Sequence, residues 1–126
     1  MSTPYVEELA LVSKNNEGIS EIFEMTAEVD GVDVPVDLTG YTFFAQARTA
    51  KNKTADLVCE IQVEIYGEPE EGKLLFTVSD EIMRDVTIVR GHYDVLCRSG
   101  TGIIDNLYMA PFQVGDGVTD IDQWQP

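Results

Sequence analysis

The sequence predicts an all-β fold, an antiparallel sandwich of about seven or eight strands with one short helical turn near residues 80–86. Three observations carry this. Runs of alternating apolar and polar residues, the period-two mark of half-buried strands, recur roughly every 8 to 15 residues. Clusters of Gly, Pro, Asn, Asp and Ser punctuate them at 13–18, 30–35, 67–72 and 99–102. No long stretch repeats its apolar residues at helical spacing. A chain of 126 residues that is 44% hydrophobic makes one domain and can bury a core without metal or disulfide support. Residues 1–115 are assigned to this domain and 116–126 to a polar tail.

The elements follow in order. Residues 5–12 are apolar and weakly alternating around Glu7 and Glu8; they are expected as an edge strand or as one handed to a neighbouring subunit, an option that covers 1–12. Residues 20–29 read as one strand with Phe23, Met25, Ala27 and Val29 on the core face and Glu24, Thr26 and Glu28 on the wet face. Asp30-Gly31 is a tight-turn signal, and Pro35, which has no N–H to give a ladder, marks an edge or a connection. Residues 36–48 enter a strand in which Tyr41, Phe43, Ala45 and Ala47 face one way. A basic loop, 50–55, leads to 57–65, where Leu57, Cys59, Ile61, Val63 and Ile65 alternate against polar or smaller residues.

In 73–79, Leu74, Phe76 and Val78 face inward. Asp80 and Glu81 then favour the positive end of a helical turn in which Ile82 and Val86 stack at i, i+4. Gly91-His92-Tyr93-Asp94-Val95 opens the next strand, with Tyr93, Val95 and Cys97 on one face. A tyrosine two residues into a strand, after a Gly that ends a crossover, resembles the tyrosine corner of immunoglobulin-like sandwiches, and the predicted fold is accordingly immunoglobulin-like. Residues 103–114 form the last strand, with Ile104, Tyr108, Ala110, Phe112 and Val114 on one parity; Pro111 implies a bulge or an edge position. Cys59 and Cys97 are expected as buried free thiols. Immunoglobulin domains do bridge their two sheets, but MSTPYVEEL has neither the basic nor the apolar region of an export signal, so synthesis in a cytoplasm is expected.

Asp37-Leu38-Thr39-Gly40-Tyr41, followed by an alternating strand ending in Gln46-x-Arg48, resembles small β-sandwich domains of tailed-phage structural proteins, among them the N-terminal module of phage baseplate upper proteins. The likeness continues through a Gly, an alternating strand, a short helical turn and Gly91-x-Tyr93-x-Val95 to Val118-Thr119, about residues 36 to 119. It implies a virion structural or assembly protein of tail, baseplate or head accessory type, with other virion proteins or further copies of itself as partners.

Charge and motifs set the rest. Twenty-three acidic residues against eight basic give −15, which repels a phosphate backbone, so nucleic acid is not an expected partner. No apolar run approaches the ~20 residues of a membrane-spanning helix. His92, the one histidine, sits on the outward parity beside Asp94 without a nucleophile motif near it, and reads as a solvent-exposed pair; no P-loop, G-x-S-x-G or H-E-x-x-H is present. No catalytic residue and no cofactor are assigned. Asp116, Asp120 and Asp122 are weak calcium candidates that lack EF-hand spacing. Phe44, Leu75, Leu96, Leu107 and Met109 fall on outward parity, an apolar load that points to an interface unless the N-terminal strand or the 80–90 corner covers it. Trp124 in the tail is either loosely packed or an anchor in a neighbour. Two other classes stay open: a carbohydrate or receptor-binding module using Tyr5, Tyr66 and Trp124, and a calcium-dependent adhesion domain.

Overall fold

The computed structural model describes residues 5–14, 17–86 and 89–115, and their fold is all-β. Nine strands are present among them: β1 Leu11–Lys14, β2 Ile19–Glu24, β3 Thr26–Val29, β4 Val32–Pro35, β5 Thr42–Arg48, β6 Leu57–Ile65, β7 Lys73–Val78, β8 Val89–Arg98 and β9 Ile104–Gly115. Helix α1, Asp80–Arg84, is the predicted helical turn, capped by Ser79 Oγ accepting from the Ile82 N–H at 3.2 Å.

Seven strands form one sheet in the order β1-β9-β8-β5-β6-β7-β2. All neighbours are antiparallel except β1 and β9. The long strand β6 is shared between two layers: its first half pairs with β5, from Leu57 to Ile61, and its second half with β7, from Gln62 to Ile65. The sheet therefore folds over along β6 until its ends, β1 and β2, approach each other, giving a nearly closed, barrel-like sheet. Phe76 of β7 spans the interior, its ring 6.1 Å from Tyr93 and 6.4 Å from Tyr108 between centroids. Leu11, Leu74, Met83, Phe112 and Val114 complete the core. Each such side chain contributes about 1.5–3 kcal/mol by leaving water.

The predicted core parities of 57–65 and 73–79 match the structure at Cys59, Ile61, Leu74, Phe76 and Val78, all buried, although Leu57 is exposed. Two expectations are corrected. First, residues 20–29 are not one strand. The Met25 N–H donates to Gly72 O at 2.7 Å and Met25 O accepts from Val36 N–H at 2.9 Å, so the chain leaves the main sheet there and returns eleven residues later. Between these points β3 and β4 pair only with each other, which puts Ala27 and Val29 in water instead of the core. Second, the ladder between β8 and β9 shifts register after Val95, where Tyr108 is its partner and Asn106 is the partner of Leu96. The extra residue, Leu107, turns to pack on the core, and Ile104 beyond it is exposed rather than inward. The Tyr93 hydroxyl donates to Leu9 O at 2.5 Å, and with its one proton so committed it accepts from Tyr108, 2.7 Å away.

Cys59 and Cys97 are free and buried, as expected. They flank β5 at Ala47 and Phe43, four residues and two strand spacings apart, far beyond the ~7 Å that a bridge allows. Residues 5–12 lie against β9 of the same chain: Tyr5 bridges Met109, a 3-10 turn covers Glu7–Leu9, and β1 runs parallel to β9. Pro111 sits where that neighbour is interrupted, between the Tyr5 bridge at Met109 and the start of β1 at Phe112, so its missing N–H costs no ladder bond.

Candidate functional site

Because β5, β8 and β9 lie side by side, their outward residues make one surface in the middle of the sheet. Register places Phe44 beside Leu96, Gln46 beside Asp94 and Arg48 beside His92, with Met109 opposite Asp94. Phe44 is 48% exposed and Leu96 37%. They form an apolar ridge, with a recess of about 250 Å³ reaching Arg98 and Ile104 on one flank and another of about 300 Å³ reaching Glu60 and Glu64 on the other.

A larger recess, about 400 Å³, opens toward the loop after β5. Arg48 shapes it: one terminal guanidinium nitrogen donates to Ala55 O at 2.9 Å and the other to Gln46 Oε1 at 3.0 Å, so the loop is held over the strand end. Within the loop, Asn52 Oδ1 accepts from both the N–H and the hydroxyl of Thr54, at 3.1 and 2.6 Å. This turn presents Lys51 and Lys53 on the rim, facing Leu96 and Met109. Three of the chain's eight cationic residues thus line one recess. Asp94 is the only acid among its described lining residues, and its carboxylate accepts from Asn106 Nδ2 at 2.9 Å. On a chain of net charge −15 this is a local positive field.

The lead segment closes one side. The Val6 N–H donates to Met109 O at 2.8 Å, and Lys51 Nζ stands 4.3 Å above the Tyr5 ring, a cation–π contact. Tyr5 also covers His92, with ring centroids 5.9 Å apart. His92 is therefore half-buried rather than solvent-exposed, and the Asp94 carboxylate bonds Asn106 instead of the imidazole. Burial, and then the Lys51 charge, hold the His92 pKa below its ordinary value. Its Nδ1 has no hydrogen-bond partner among the described residues. No Ser, Thr or Cys lines this recess among the described residues, and what it offers a visitor is apolar contact and positive charge.

Of the sequence-predicted interface residues, Phe44, Leu96 and Met109 come together, the last half-covered by the lead segment. Leu107 packs on the core. Leu75 is half-buried on the other layer beside Ile22, itself 45% exposed. Trp124 and the calcium candidates Asp116, Asp120 and Asp122 lie outside the described residues. Among the described residues, no group of three or more His, Cys, Asp or Glu is placed to hold a metal ion. Sequence reasoning missed that the basic loop and the apolar ridge adjoin. The loop's lysines were a visible signal, but only the register of β5 with β6 and β8 sets them beside Leu96. No protein-family model matches the chain, and no curated protein is significantly similar to it in sequence.

Proposed function

We propose that this chain is a non-enzymatic assembly protein that acts through protein–protein contacts, as a tail, baseplate or head accessory component of a tailed-phage particle. The observation that carries this is the Phe44–Leu96 ridge. Both residues are partly exposed on interior strands of the sheet, and covering what remains exposed would be worth about 1 kcal/mol each. The charge of −15 complements such a surface by keeping unassembled copies soluble.

The phage setting rests on the resemblance over residues 36 to 119. Its lead motif forms a shaped joint: Asp37 Oδ1 accepts from the N–H and hydroxyl of Thr39, Leu38 is buried, and Gly40 has φ 81°. In this reading the two layers sharing β6 are an immunoglobulin-like sandwich drawn toward a barrel. The chain acts in the virion, with other virion proteins and further copies of itself as partners. Mass spectrometry of gradient-purified particles tests this: the chain is expected there at a fixed copy number per particle. Its presence only in the soluble lysate fraction overturns the proposal.

A further inference from the structure

The β3–β4 hairpin is built to be covered, and nothing in the described chain covers it. Asp30 and Gly31, at φ 52° and 79°, form its two-residue turn. Directly opposed residues share a face, so the pairs Ala27–Val34 and Val29–Val32 make one side wholly apolar, and Glu28–Asp33 puts like charges opposite each other on the other. Val29, Val32 and Val34 are 52%, 61% and 36% exposed. A lone two-stranded hairpin is marginal in water, and an uncompensated carboxylate pair lowers its stability further.

The outer recess is the complement of this hairpin. It sets the cations Arg48, Lys51 and Lys53 beside Leu96 and Met109, next to Phe44. The two features cannot meet within one chain. The hairpin root, Met25, bonds Gly72 near the Ile65 end of β6, whereas the basic loop lies by Leu57 at the other end, about 26 Å away by strand rise. A hairpin with four-residue strands reaches only about 13 Å.

We infer that the β3–β4 hairpin of one copy enters the outer recess of a second copy between the ridge and the lysine rim, so that its valine face meets the Phe44–Leu96 ridge and its opposite, acidic face meets Lys51 and Lys53. Donor and acceptor surfaces lie at opposite ends of the molecule, so the contact is head-to-tail and propagates as a ring or a filament. This contact rests on the assembly function proposed above and names the partner of that surface.

Charge exchange tests it. One variant carries Glu28→Lys and Asp33→Lys, a second Lys51→Glu and Lys53→Glu; all four residues are exposed, and circular dichroism checks that both variants fold. In light scattering coupled to size exclusion, the wild type is expected to exceed monomer mass. Each variant alone should associate at least about tenfold more weakly, and their equimolar mixture should recover association, because each then meets its opposite charge. A wild type that stays monomeric at millimolar concentration overturns the contact, as does an oligomer whose mass neither variant changes. In both cases the particle measurement above still decides the assembly function independently.

Discussion

At the scale of single residues, two positions show how local chemistry is set by neighbours far away in sequence. Gly91 is buried in β8, and a Cβ there would stand 2.1 Å from Arg48 O, a backbone atom that cannot step aside. Gly91→Ala is expected to destabilise the fold by about 1–3 kcal/mol in urea unfolding. The Tyr93 hydroxyl serves both the half-buried Leu9 O and the buried Tyr108 hydroxyl, so Tyr93→Phe removes a partner from each and should cost about 1–3 kcal/mol. Burial also opposes ionisation: the Cys59 thiol pKa is pushed from 9.0 up to about 11, and the Tyr93 and Tyr108 phenol pKa values are raised above the ordinary one. These groups are neutral in the fold, while the unfolded chain releases their protons first. Their contribution is fully present below the unfolded pKa and is lost as pH rises through the folded one. The urea midpoint is therefore expected to fall between pH 9 and 11, and Cys59→Ala should lower the midpoint at pH 8 but shrink the alkaline fall. The inward parity of Tyr93 and Cys59 was legible from alternation. The hydroxyl's partner at Leu9 was not, since 84 residues separate them.

At the scale of elements, the strands that alternate over their whole length were legible and those that change partner midway were not. In β7, Leu74, Phe76 and Val78 face one core throughout, so period and burial agree. Residues 20–29 alternate just as regularly, yet Met25 is the point where the chain leaves the sheet, and the alternation after it describes the hairpin's own apolar side. Periodicity reports that a strand has two unlike faces, not what lies against either. Because Met25 O and Val36 N are only 2.9 Å apart, residues 26–35 can be replaced by a short Gly-Ser turn. Since Val29, Val32 and Val34 contribute nothing to the core, the melting temperature is expected to stay within about 3 °C while self-association is lost. The α1 cap was not singled out in the sequence; Ser79→Ala should cost about 1 kcal/mol in the same unfolding assay.

At the scale of the whole molecule, the distribution of apolar and charged surface decides behaviour. Phe44→Asp and Leu96→Asp place charges on an outer ridge, so both are expected to leave the melting temperature within about 3 °C of the wild type and to abolish self-association in light scattering. Unfolding of both would show the ridge to be core. The apolar load of this face was legible, because Phe44 and Leu96 break alternation on strands that otherwise keep it. Its cationic side was not, because Lys51 and Lys53 reach Leu96 only through the pairing of β5 with β8. The sequence by itself determined an all-β chain, the inward parity of its regular strands and a strongly acidic surface, since each of these depends on residue type and spacing along the chain; that the two inward thiols stay apart was decided by the register of β6 and β8 on β5. Only the tertiary structure decided that β6 joins two layers, that a bulge reassigns Leu107 and Ile104, and that a valine-faced hairpin stands clear of the sheet. Those outcomes depend on which strands become neighbours, a long-range energy that no local period encodes.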